Sequence, residues 1–259
     1  MARRWLPRRL SHGEEATLVE HLDELRSRLI VCLVAIVPAF ALTYFFHGRI
    51  MDWLTGPLPD DKKLVTLGVS EPFTTSIKVS LIAAIAVILP VLLWQFWSFF
   101  APAFEEHHQR IVLVLVAFAS GLFVCGVLFI YYIVLPRALE FLTTYDDQFY
   151  DIQIRASYYF TFVAWLLLGG GLAFLLPIVV LGLVRLRVLS SRTLRRNRRI
   201  ALVLLLIVAA LLPTVDPVSL AIEFIPLALL YEFSVWLSVL MERRWRRDWD
   251  DEFAEASAP

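Results

Sequence analysis

The strongest constraint in this sequence is a repeated alternation of apolar stretches close to twenty residues long with short charged segments. A bilayer's hydrocarbon core is about 30 Å thick and a helix rises about 1.5 Å per residue, so about 20 mostly apolar residues are needed to cross it. Residues 29–46, 77–100, 111–135 and 158–184 approach or exceed that length. Of the 259 residues, 59% are hydrophobic and 19% charged, against about 45–50% and about 25% in a soluble domain. A soluble fold of this size cannot hide so much apolar surface, and a disordered chain lacks this aromatic and aliphatic content. Lipid offers no hydrogen-bonding partner to an open backbone, so the spans are read as helices.

Two further apolar runs depart from the pattern. Residues 200–212 form a run of 13 between Arg199 and Pro213, which as a helix covers about 20 Å. Residues 218–240 are longer but carry Glu223, Pro226 and Glu232. Only 213–217, which includes Asp216, separates the two runs, so they read as a helical hairpin. Either the pair is too short for the bilayer and thins it locally, or it is tilted and packed inside the bundle. Pro90, Pro177 and Pro226 fall inside spans, where a proline removes a backbone hydrogen bond and is expected to kink the helix. Pro57 belongs to a turn cluster at 56–61. The three glycines at 169–171 allow a neighbouring helix to come close. The predicted fold is all-α: a polytopic membrane protein of six transmembrane helices, the last two short.

Basic residues orient these spans. With six spans, eighteen of the 24 lysines and arginines fall on one side and six on the other; seven of the eighteen crowd into 185–199. The richer side is the cytoplasm, so both termini are expected there. Residues 1–28 are read as a cytoplasmic segment with an amphipathic helix, 29–240 as the transmembrane domain, and 241–259 as a cytoplasmic tail, disordered at its end. The basic start leads into a charged run, so no cleavable signal peptide is read. A net charge of zero gives no argument for nucleic acid. Cys32 and Cys125 have no ligand spacing and are read as small buried apolar residues.

Three places offer chemistry. In 18–29, Leu18, Leu22, Leu25 and Leu29 share one helical face, and Glu20, Glu24 and Arg28 form a polar stripe. The plain reading of Glu24 and Arg28 is a surface pair worth a few tenths of a kcal/mol. The turn at 101–110 carries Glu105 and Glu106 on the arginine-rich side, where they either neutralise that field or receive a cationic ligand. His107 and His108 beside them are a weak metal signal. Glu223 and Glu232 lie within a span, where ionisable groups are costly and functional by default. Nine residues apart, they face opposite ways around a helix. The chain holds no nucleophile motif, metal-ligand spacing or phosphate loop, and no cofactor is implied.

The segment His21-Leu22-Asp23-Glu24-Leu25-Arg26-Ser27-Arg28-Leu29 resembles the N-terminal signature of the TatC family, the multispanning receptor subunits of the twin-arginine protein translocase. Glu71-Pro72-Phe73, the stretch Gln95-Phe96-Trp97-Ser98-Phe99-Phe100-Ala101-Pro102, the proline-bearing fourth span, the residues from Pro213 to Ser219, Ile225-Pro226 and Tyr231-Glu232 are similar to further family motifs in the same order. The resemblance implies binding of paired arginines of export signal peptides at the cytoplasmic face of a prokaryotic plasma membrane. It implies TatA- and TatB-type single-span partners, self-association, and folded cargo driven by the proton motive force. Glu24 matches the family's signal-binding glutamate, Arg26 lies in the same signature, and Phe99 and Pro102 match positions bordering that site. Guanidinium and carboxylate form charge-assisted, often bidentate bonds. Where members often carry a glutamate in the second-span turn, this chain has His108, and Glu106, or else Glu105, is expected to substitute. Where members carry polar residues in spans four and six, it has Leu175 and Leu220. The intramembrane polar, partner-docking role is therefore expected at Glu223, with Asp216 and Glu232 nearby. The other function weighed is a proton-coupled secondary transporter with Glu223 as coupling site; internal repeats would favour it, and none is seen.

Overall fold

The computed structural model describes residues 18–59, 62–100, 109–145, 148–149, 152–185, 188–213 and 217–256. They divide between two compact units, one from Met1–Thr55 and Thr66–Gly121, the other from Gly56–Val65 and Leu122–Pro259. Among the described residues, four helical segments are long and apolar enough to cross a membrane, five if a bent pair counts as one span. The fold is that of an all-α polytopic membrane protein with four to five candidate spans. The fifth apolar run, 200–212, falls in a helix of 14 residues that is too short to qualify alone.

In the first unit, α1 (Leu18–Phe45) is followed by α2 (His47–Thr55), α3 (Glu71–Val87) and α4 (Leu89–Phe100), with α5 (Gln109–Phe129) starting here. α1 crosses α3 through small side chains: Ala39, Ala84 and Ile88 are buried, with Ala35 and Phe40 against them. Such residues let backbones approach where no hydrophobic force drives helices together. Thr43 Oγ1 uses that closeness, donating to the Ser80 carbonyl at 2.8 Å. The outer side of α1 is bare, with Val34 64% and Val37 68% exposed, as a lipid-facing surface requires. α3 and α4 meet at a 51° bend. Pro90 thus sits in the first turn of a new helix, where its missing N–H costs nothing. Glu71 opens α3 with its carboxylate buried, accepting from Leu67 N–H at 3.0 Å and Gly68 N–H at 3.3 Å, which satisfies donors of the turn before the helix.

In the second unit, α5 ends and passes through a π-helical turn (Ile130–Val134) into α6 (Leu135–Thr144). α7 (Ala156–Ala173) and α8 (Leu176–Arg185) follow, then α9 (Ser191–Arg196), α10 (Arg198–Leu211) and α11 (Pro217–Ala256). The three glycines lie at helix crossings. A Cβ on Gly170 would sit 2.3 Å from Ile130 Cγ1, one on Gly171 2.6 Å from Phe123 Cε2, and one on Gly169 2.5 Å from Leu212 Cδ2. α7 and α8 part at Phe174–Leu175, placing Pro177 at the second position of α8. α8, α9, α10 and α11 share a core that includes Val180, Val184, Leu194, Leu205, Leu227 and Val235.

Four details go beyond the sequence reading or differ from it. Two two-residue strands, β1 (Leu64–Val65) and β2 (Ile154–Arg155), pair in parallel, too short to show any sequence period. Pro226 lies inside α11 without ending it. α11 runs on to Ala256. Cys125 is exposed and Cys32 half-buried, so neither is a core residue.

Candidate functional site

Glu24 and Arg28 stand one turn apart on α1, with side chains only 16% and 18% exposed. Leu22, Leu25 and Leu29 are exposed on the same helix. The Arg28 guanidinium draws acceptors from two helices. Its Nε donates to Glu24 Oε1 at 3.0 Å, and Nη2 donates to the same oxygen. Nη2 also donates to the Ser98 carbonyl at 2.9 Å, and Nη1 to Gln95 Oε1 at 3.3 Å. Ser98 lies in the last turn of α4, where helix carbonyls have no partner of their own and the helix dipole favours a cation. The end of α4 and the carboxylate of α1 together make a guanidinium-binding corner. Phe99, half-buried, follows Ser98 directly, while Arg26 is exposed. Pro102, Glu105, Glu106, His107 and His108 lie outside the described residues.

The pairing of Glu24 with Arg28 follows from their spacing. The contacts of Gln95 and the Ser98 carbonyl with Arg28 are not legible in the sequence, because nothing local links positions about seventy residues apart.

Glu223 and Glu232 do face opposite ways on α11. Glu223 is 2% exposed, beside Ile130, Gly170, Phe174, Leu212 and Leu227. Glu232 is about half exposed and pairs with Arg198 of α10 at 3.0 Å. Asp216 lies outside the described residues, and Pro57 is part of the turn after α2. Two anchoring contacts were not read from the sequence. The Tyr231 hydroxyl donates to the Leu194 carbonyl at 3.0 Å. The buried Glu242 carboxylate accepts the Ser191 N–H at 2.9 Å, at the start of α9, where a helix favours an anion. Together they pin α9 along α11.

Long apolar helices, an intramembrane carboxyl enclosed by the fold and a carboxylate–guanidinium corner at a helix end define a polytopic helical membrane protein with an ion-pair binding site. The family description for Sec-independent protein translocase protein (TatC) matches residues 20–226. The chain belongs to the TatC family and is a non-enzymatic component of twin-arginine protein translocation. It is 35% identical over 235 residues to the Sec-independent protein translocase protein TatCd of Bacillus subtilis, covering 91% of this chain and 96% of that one. It is 33% identical to the TatC of Helicobacter pylori, covering 86% and 89%. A crystal structure of the twin arginine translocase receptor TatC in detergent superposes with a TM-score of 0.76 at 33% identity, covering 84% of this chain and 99% of that one.

Proposed function

We propose that this protein is the receptor that recognises the paired arginines of export signal peptides at the cytoplasmic face of a prokaryotic plasma membrane. The observation that carries the reading is the guanidinium already bound at Glu24 in a corner open to the surface. Glu24 takes one arginine of the pair, Glu106 or its neighbour Glu105 the other, with Arg26, Phe99 and Pro102 bordering the peptide. The chain spans the membrane six times with both termini inside; α10, the short fifth span, and α11, the sixth, form the last hairpin. It assembles with TatA- and TatB-type single-span proteins and with copies of itself, and folded cargo crosses at the expense of the proton motive force. Glu223, buried in its unit, with Asp216 and Glu232 near it, is the intramembrane polar site at which a partner's single span docks.

The test is peptide affinity. Glu24→Ala removes a charge-assisted contact of about 1.5–3 kcal/mol, so binding of a twin-arginine peptide should weaken roughly 10- to 150-fold. A twin-lysine peptide should lose less, because lysine never had the bidentate geometry. Equal losses for the two peptides, or none, would sink the assignment of Glu24.

A further inference from the structure

We propose that Arg28 is a built-in competitor for the arginine site: its guanidinium holds the acceptors that an incoming arginine needs, and binding exchanges one guanidinium for another. The inference rests on the reading of Glu24 as a receptor carboxylate and adds a resident occupant to it. An ordinary i,i+4 pair on a helix surface is solvated and uses no third group. Here the same cation also takes a side-chain amide oxygen and a helix-end carbonyl from α4. Three acceptors from three sources, arranged around one planar fork, make a site for a guanidinium as a chemical group. Nothing in that arrangement is specific to Arg28 except that it is tethered nearby.

The exchange has a starting point. Of the two Glu24 oxygens Arg28 bonds only Oε1, and among the described residues Oε2 takes no hydrogen bond. An arriving guanidinium can engage Oε2 first, so the carboxylate is never stripped bare. Two guanidinium ions on one carboxylate leave an excess positive charge in a corner less than a fifth exposed, where repulsion is weakly screened. One cation therefore leaves, and Arg28 is the one with solvent within reach of its flexible stem. Apparent affinity is then multiplied by the fraction of time the site is free of Arg28, and by the same factor for any ligand of that site.

The experiment titrates a fluorescent twin-arginine signal peptide against the full-length protein in lipid nanodiscs, comparing Arg28→Gln, Arg28→Lys, Glu24→Gln and the Glu24→Gln, Arg28→Gln double variant. Arg28→Gln should tighten binding, by about 3- to 30-fold. Arg28→Lys, which keeps the charge but loses the fork, should tighten it by less. In the Glu24→Gln background the Arg28 change should have no effect, because the contested carboxylate is gone. Weaker or unchanged binding by Arg28→Gln overturns the proposal, as does tightening that survives undiminished in the Glu24→Gln background. If Glu24→Gln alone leaves twin-arginine binding untouched, the underlying reading of Glu24 fails instead. Should Arg28→Gln not fold, as judged by thermal unfolding, Arg28→Lys decides by its sign: tighter binding supports exchange and weaker binding overturns it.

Discussion

Gly170 and Gly121 are both helical glycines, and their surroundings predict opposite responses to a methyl group. At Gly170 the added carbon would overlap the buried side chain of Ile130, whereas at Gly121 nothing lies within 4 Å. Alanine favours a helix over glycine by about 1 kcal/mol, and overpacking a tight contact costs about 1–3 kcal/mol. Gly170→Ala should therefore lower the thermal unfolding midpoint in detergent, and Gly121→Ala should raise it. The reverse order would mean that α7 does not approach the π-helical turn this closely. The glycine run itself announced a close approach. Its partner was not legible, because a π turn at Ile130 has no sequence signature. The same division holds at the arginine corner. Spacing alone linked Glu24 to Arg28, while Gln95 and Ser98 arrived only through the packing of α4 on α1.

Element breaks were legible where proline stands near a helix start. Pro90 and Pro177 each mark a break, since a proline fits the first turn of a helix and disturbs its middle. Pro226 does not interrupt α11, and flanking apolar residues gave no hint of the difference. α10 was readable as short from its flanking Arg199 and Pro213. It has 14 residues, about 21 Å. The Arg198–Glu232 pair sets the charged level on both arms, and from Glu232 back to Pro217 α11 covers about 22 Å. Both arms fall short of a hydrocarbon core of about 30 Å. Adding about seven apolar residues to each arm, roughly 10 Å, should restore a match. That variant is expected to insert and bind signal peptide yet fail to export a folded twin-arginine reporter. Normal export would make the short hairpin incidental.

For the whole molecule, the lopsided distribution of basic residues predicts orientation more directly than any contact does. Cysteines replacing Asp61 and Asp147 should react with a membrane-impermeant reagent applied to intact cells. One replacing Arg192, exposed on α9 beside the pinned end of α11, should react only after lysis. Labelling of the Arg192 position from outside would invert the topology. The count argues for this orientation without reference to the fold, because insertion responds to the lysine and arginine bias of loops near the spans. The parallel pairing of β1 with β2 stayed hidden for the opposite reason: two-residue strands are fixed by the helices that bring them together.

Because α11 is one helix from Pro217 to Ala256, the hairpin has a long lever arm. Beyond Glu232, which marks the charged level with Arg198, 24 residues remain, about 36 Å of helix. A tilt of about 5° at the hairpin would sweep the far end through about 3 Å. Small angular changes inside the bilayer are thereby amplified into displacements at a site that fluorescence energy transfer can follow.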